Sequence, residues 1–473
     1  MSSLSLAVGL SCFLAAEAIA QRVTVLHTFT GPDGYNPRAG LILGGKTLYG
    51  TTYWGGGPGN GTVFAVNLDG SGFRTLHQFT PVLGHNYTNG DGANPATGLV
   101  LSGRTLYGTV YGGGGYGWGA VFAIDIDGSN FVVLHSFTRG EDGAFPNGKL
   151  LFHDNVLYGS TEYGGSPADS GVAFKLNVDG TGFTTLHVFT GFGLEGGDGR
   201  LALVGAVASD LLYGTTVSGG KAANGSVFVL NTNGSGFNTL YAFSAEVLNS
   251  SNVYVNGDGA NPFAGCVLSR STLYGTAQSG GDVRLGTVFS VNVDGSGFTT
   301  LHSFNNNDGS YPYGALSLSG EMLYGTTSWG GSLGSGTAFA IRTNGADFTS
   351  IYNFTDDSTP GTNRDGAFPS SDLVVTGDAL YGTASFGGPS DKGTVFTISL
   401  SPQLGIISAG TNVIVSWPMA YAGFDYSKYR LQWTTNLASP VWRAISQGPV
   451  LVDGLNTVTN PIGAYQQFFR LIQ

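Results

Sequence analysis

Seven of the chain's Asp-Gly pairs recur once per repeat at one equivalent place, at Asp33, Asp91, Asp142, Asp198, Asp258, Asp308 and Asp365, and six of them run on as Asp-Gly-x-x-Pro. Two kinds of chemistry suit carboxylates spaced in this way. Each can accept backbone N–H bonds inside a turn that Gly and Pro complete. Alternatively, seven of them around one opening offer hard oxygen ligands to a cation such as calcium. One carboxylate per repeat is thin coordination for a single ion, so the pattern favours the turn, with calcium the one cofactor it leaves open. A second set is His27, His77, His135, His187 and His302, each in a Leu-His-x-Phe-type segment whose slot holds Tyr241 and Tyr352 in the other two copies. Tyrosine keeps an aromatic body and a hydrogen bond but replaces a metal-binding imidazole poorly, which points to packing rather than catalysis.

The third set breaks the sevenfold sameness, as a ligand site must. The slot before each Gly-Gly pair holds Trp54, Gly112, Tyr163, Ser218, Ser279, Trp329 and Phe386, with Tyr53, Tyr111 and Glu162 beside it in three copies. Flat aromatics next to carboxylates and backbone polar groups suit sugar rings, which present apolar C–H faces and hydroxyls; the alternative is that the same rings wedge between packed elements. Trp54, Tyr111, Glu162, Tyr163, Trp329 and Phe386 are therefore the candidate ligand-binding residues. A glycoside hydrolase or lyase would need two carboxylates at working separation, for which Glu162 with Asp142 or Asp198 is the available pair. No nucleophile–base motif accompanies them, so no catalytic residue is assigned.

The elements that must position these residues are short strands. Leu-Tyr-Gly occurs seven times, with tyrosines at 49, 107, 158, 213, 274, 324 and 381, at intervals of 50–61 residues. Around each copy lie an apolar run, a Gly-Gly pair, a Gly-Thr-Val-Phe-type segment, an Asn/Asp-rich turn such as Asn67-Leu68-Asp69-Gly70, and the Leu-His-x-Phe segment. Four apolar segments per unit, bounded by turn residues, read as four strands, and units of ~50 residues as the blades of a kelch-like β-propeller. The chain opens with Val25-Leu26-His27-Thr28-Phe29 and its last repeat stops at Val395-Phe396-Thr397-Ile398. The N-terminal strand is thus expected to complete the seventh blade, leaving no open edge. The fold class is all-β: a seven-bladed β-propeller closed by its N-terminal strand, plus a small C-terminal β-sandwich.

Residues 1–20 are apolar and small and end in Ala18-Ile19-Ala20, which reads as an export signal. The propeller is expected over 21–400 and the sandwich over 401–473, where the repeat stops and Trp417, Trp433, Trp442 and Phe469 are available for a core. With the signal removed, Cys266 is the only cysteine, so no internal disulfide is expected. The net charge of −11 and the absence of a basic run disfavour nucleic acid as a partner. No apolar stretch near the C-terminus is long enough to span a membrane.

The compound string Leu-Tyr-Gly-Thr, Gly-Gly, Gly-Thr-Val-Phe, Asp-Gly-x-Gly-Phe, Leu-His-x-Phe resembles the GloVer tandem repeats of exported bacterial proteins, over residues 23–400. The tail, with Val413-Ile414-Val415-Ser416-Trp417-Pro418 and Phe469-Arg470-Leu471, resembles a fibronectin-like terminal module. The resemblance implies export and a propeller but no reaction. Together these readings make the protein a secreted or cell-surface, non-enzymatic binding protein for a polysaccharide or cell-envelope component. A propeller carbohydrate-active enzyme and a structural or self-assembling surface protein are the alternatives.

Overall fold

The computed structural model describes residues 22–472 except 85–86, 192–196, 249–253, 357–362, 403, 437–439, 446, 453 and 462–466. The export signal expected over 1–20 lies outside the described residues. The regular structure is entirely β, and the chain divides into two compact units, one comprising Val23–Ser401 with Ala420–Asp425, the other formed by Pro402–Met419 and Tyr426–Gln473.

The larger unit is built on seven antiparallel sheets with one plan. In the first, Ile42–Gly44, Thr47–Thr52, Thr62–Asn67 and Arg74–Gln78 pair in chain order. In the last, Arg22–Thr28 lies beside Thr394–Ser399, so the N-terminal strand is the outer member of a sheet whose other strands come from the end of the unit. The register explains the Leu-Tyr-Gly motif. Its glycine stands directly opposite the Phe of Gly-Thr-Val-Phe: Gly50 faces Phe64 and Gly159 faces Phe174, with the same pairing in the other five sheets. A methyl group at any of these glycines would lie 2.4–2.7 Å from the Phe Cζ. The phenylalanine ring therefore lies over the glycine.

Each apolar core spans two sheets rather than filling one. Tyr49 and Val63 of the first sheet pack with Leu99, Leu106 and Phe122 of the second, and seven such clusters link successive sheets. One of them joins Leu26, Tyr381 and Val395 of the last sheet to Leu41, Leu48 and Phe64 of the first. The threonine of Leu-Tyr-Gly-Thr adds a polar link: Thr51 Oγ1 donates to the Thr97 carbonyl at 3.3 Å, Thr326 to Ser371 at 2.8 Å and Thr383 to Ala39 at 3.0 Å. The outer histidines stack across the same junctions. His27 lies on Phe73 with ring centroids 3.4 Å apart, His77 on Phe131 at 3.9 Å and Tyr241 on Phe298 at 3.7 Å, which gives the Phe of the Gly-Phe turn its role. Cys266 is buried in this core, and burial pushes its thiol up to about 12.

The smaller unit contains one sheet of four strands, among them Asn412–Pro418 and Leu455–Pro461, and another of three, among them Arg430–Thr434 and Phe468–Ile472. Its buried centre is Trp417 with Val415, Tyr426, Leu431 and Val458. Of the four aromatic residues expected to make this core, only Trp417 does so. Trp433, Trp442 and Phe469 are half-buried, and Arg470 lies 4.2 Å from the Trp442 ring centroid, because a unit this small buries only part of its apolar surface.

Candidate functional site

The seven Asp-Gly carboxylates lie apart, each against the outer strand of its own sheet. Asp33 accepts from Thr30 N and Thr30 Oγ1, both at 2.8 Å, and pairs with His27 Nε2 at 2.8 Å. Asp91 meets Thr80 and His77 (2.9 Å), Asp142 meets Thr138 and His135 (3.0 Å), Asp198 meets Thr190 and His187 (2.6 Å), and Asp308 meets Asn305 and His302 (3.1 Å). Where tyrosine replaces histidine, its hydroxyl donates to the same acceptor: Tyr241 to Asp258 at 2.7 Å and Tyr352 to Asp365 at 2.5 Å. The expected ring around a channel mouth is not formed, because the bond to the outermost strand holds each carboxylate at the rim. Among the described residues no three His, Cys, Asp or Glu side chains gather as a metal site. Burial alone would raise the pKa of Asp33, Asp91, Asp142, Asp198 and Asp308, but the bonds from threonine or asparagine and from histidine outweigh it and hold all five below the ordinary value.

Where the seven inner strands converge there is a cavity of about 530 Å³, lined by residues of all seven sheets, including Arg38, Ala96, Asn147, Leu203, Phe263, Tyr313 and Ser370. The position three residues after the turn proline is mostly Gly or Ala, but it is Lys149 in the third sheet and Asp372 in the seventh. Their side chains meet across the cavity, Nζ to Oδ2 at 3.0 Å. Gly40 makes room for this bridge, since a Cβ there would fall 1.6 Å from Asp372 Oδ1. Beyond it the lining turns apolar, with Ile42, Val100, Leu151, Phe152 and Val267.

The Asp-Gly and Gly-Gly loops share one end of the sheets, joined by bridges such as Tyr35 with Trp54 and Ala367 with Phe386. Aromatic rings run there in an unbroken series. Trp329 lies 4.3 Å from Phe368, Phe368 6.0 Å from Phe386, Phe386 6.0 Å from Tyr35, Tyr35 5.5 Å from Trp54, and Trp54 5.0 Å from Tyr53, where the Arg38 guanidinium sits 3.7 Å above the ring. Trp54 and Trp329 are 42% and 51% exposed. Three of the expected ligand residues, Trp54, Trp329 and Phe386, thus fall on one arc across the sixth, seventh and first sheets.

The other three, Tyr111, Glu162 and Tyr163, form a second group on the second and third sheets. The Tyr111 hydroxyl donates to Glu162 Oε2 at 3.0 Å, and Phe145 lies between the Tyr111 and Tyr163 rings, at 4.8 and 6.0 Å. Burial raises the Glu162 pKa, against the opposing pull of Tyr111, Arg200, Tyr163 and Arg38. Asp142 and Asp198, the partners envisaged for a two-carboxylate centre, are paired instead with His135 and His187 of outer strands.

Tyr35, Arg38, Phe145 and Phe368 escaped the sequence reading, although a signal was present. The residue before the turn proline is Asn36, Asn94 and Asn261 in three sheets but Phe145, Tyr311 and Phe368 in the three others that have it, and all six hold φ between 55 and 60°. Asparagine tolerates this left-handed conformation; phenylalanine is strained in it. Each asparagine also donates to a carbonyl of the preceding sheet, Asn94 to Tyr53 at 3.0 Å and Asn261 to Val217 at 3.0 Å. At 145 and 368 that tie is replaced by a ring on the loop face.

Repeated four-stranded sheets packed face to face, with inner strands lining one cavity, define a β-repeat protein. The chain belongs to the Gloeobacter/Verrucomicrobia repeat family, whose model matches residues 81–254 and 245–417. No curated protein matches it. Solved structures to which it is similar include an oligogalacturonate lyase from Vibrio parahaemolyticus (11% identity, 81% of this chain and 94% of that one, TM-score 0.48). Two others are a puromycin-hydrolyzing peptidase from Mycobacterium tuberculosis (11%, 82% and 60%, 0.46) and a putative 6-phosphogluconolactonase from Bacteroides fragilis (14%, 92% and 98%, 0.43).

Proposed function

We propose that the seven sheets close into a seven-bladed β-propeller, and that the protein is exported and binds a polysaccharide along the aromatic arc leading to the central cavity. The observation that carries this reading is Phe368, a phenylalanine held at φ 56° in a slot where three other repeats use asparagine, with its ring between Trp329 and Phe386. Left-handed backbone at a bulky residue costs about 1–2 kcal/mol, and such strain persists where it supports a function. A row of half-exposed rings set 4–6 Å apart matches the apolar faces of successive sugars.

Phe368→Asn is accordingly expected to leave the melting temperature unchanged or raise it, while weakening glycan binding on an array about tenfold. Trp54→Ala and Trp329→Ala should weaken binding to a similar degree without unfolding the protein, because both side chains are largely at the surface. Unaltered binding in all three variants would sink the proposal.

Glu162 supports a second, enzymatic reading, since a half-buried carboxyl with a raised pKa that accepts a bond from Tyr111 is a proton donor in waiting. The binding-protein reading expects no chain cleavage when a bound glycan is incubated with the protein. Cleavage that disappears in Glu162→Gln, with binding retained, would replace it by the enzymatic one.

A further inference from the structure

The glycan proposed for the arc should be acidic, and the reason lies in how charge is distributed in the propeller. The chain carries only 19 Lys and Arg against 30 Asp and Glu. Cations nevertheless accompany the rings: Lys392 Nζ lies 4.3 Å from the Tyr35 ring centroid, and Arg38 caps Tyr53 at the inner end. The cavity itself is lined by three charged residues, Arg38, Lys149 and Asp372. Lys149 and Asp372 neutralise each other at 3.0 Å, which leaves the charge of Arg38.

Among the described residues no carboxylate lies within ion-pair distance of the Arg38 guanidinium. Glu162 acts on it only at longer range, and Asp391, the acidic group near Tyr35, accepts from Gly387 N at 2.9 Å. A desolvated guanidinium gains strongly from an anion that completes its surroundings, and its planar fork fits a carboxylate with two parallel hydrogen bonds. The Lys149–Asp372 bridge lies two residues deeper along the inner strands, so a group entering from the loop face meets Arg38 first.

We infer that the ligand is a uronate-containing polysaccharide, with the carboxylate of one sugar paired to Arg38 at the cavity mouth while neighbouring sugars lie on the aromatic arc. This rests on the polysaccharide reading above and adds the acidic class and the residue that selects it.

The test titrates oligouronides of several linkages, and the same oligosaccharides after carboxyl reduction, into the full chain, following tryptophan fluorescence. The acidic form is expected to bind at least about tenfold more tightly than its neutral counterpart, as a charge-assisted bond implies. Arg38→Gln should abolish that preference, bringing the acidic and neutral forms to the same affinity, and Arg38→Lys should retain part of it, which a merely structural role for Arg38 would not produce. Equal binding of acidic and neutral forms overturns the acidic inference and leaves the polysaccharide reading intact. Failure of both to bind overturns both. Equal weakening of both forms in Arg38→Gln, or tighter binding of a sulfated glycan that lacks carboxylates than of any uronate, also overturns the assignment of a carboxylate to Arg38.

Discussion

Asp91→Ala is expected to destabilise the larger unit by about 3 kcal/mol, a large effect for a residue outside the apolar core. The carboxylate accepts from Thr80 N at 3.0 Å, from the Thr80 hydroxyl and from His77 Nε2 at 2.9 Å, and Asp91 is only 8% exposed. Its removal leaves the Thr80 N–H and the half-buried His77 ring nitrogen without their acceptor, and unmade bonds of this kind cost more than made ones contribute. The chain supplies its own control. Tyr241 and Tyr352 occupy the histidine slot and bond Asp258 and Asp365, so His77→Tyr should be nearly neutral, whereas His77→Phe keeps the stack on Phe131 and loses about 1 kcal/mol with the hydrogen bond. Calorimetry of the three variants separates stacking from bonding; a neutral Asp91→Ala would refute the lock.

The same locks fix the pH dependence. Asp33, Asp91, Asp142, Asp198 and Asp308 titrate below the ordinary 3.8 in the folded state, so the unfolded chain takes up their protons first. Their stabilisation is complete above about pH 4 and is lost as pH falls through the depressed values. His27 adds a loss of the same sign that begins nearer 6.5, because burial depresses its pKa despite the bond to Asp33. The melting temperature should therefore fall steeply on the acid side, and added calcium should not restore it.

Gly159→Val is expected to cost about 3 kcal/mol or prevent folding, since a Cβ at this site would lie 2.4 Å from Phe174 Cζ and 2.9 Å from Leu150 Cδ2 in a core with no free space. The strain is steric rather than conformational, as the backbone at 159 is an ordinary strand. Pairing the change with Phe174→Leu, which vacates the space above the strand, should recover part of the loss, and denaturant midpoints would measure it. Additive effects of the two substitutions would mean that the glycine is needed for some other reason.

Repeat count, strand order and the partner of the N-terminal strand were legible in the sequence because they depend on local periodicity, which seven copies state seven times over. The Asp-Gly-x-x-Pro turn was legible for the same reason. The placement of its carboxylate was not, since the bond that holds it comes from a histidine on the outer strand and depends on how the loop folds back. Likewise Trp54, Trp329 and Phe386 stood out as departures from the repeat, but Tyr35 and Phe368, which complete their arc, come from the Asp-Gly loops and become neighbours only through bridges between loops. An all-β tandem repeat and the slots in which it varies follow from local residue pattern alone. Which of the varied residues meet does not, because contacts such as Lys149 with Asp372, 223 residues apart, are set by the geometry of packed sheets.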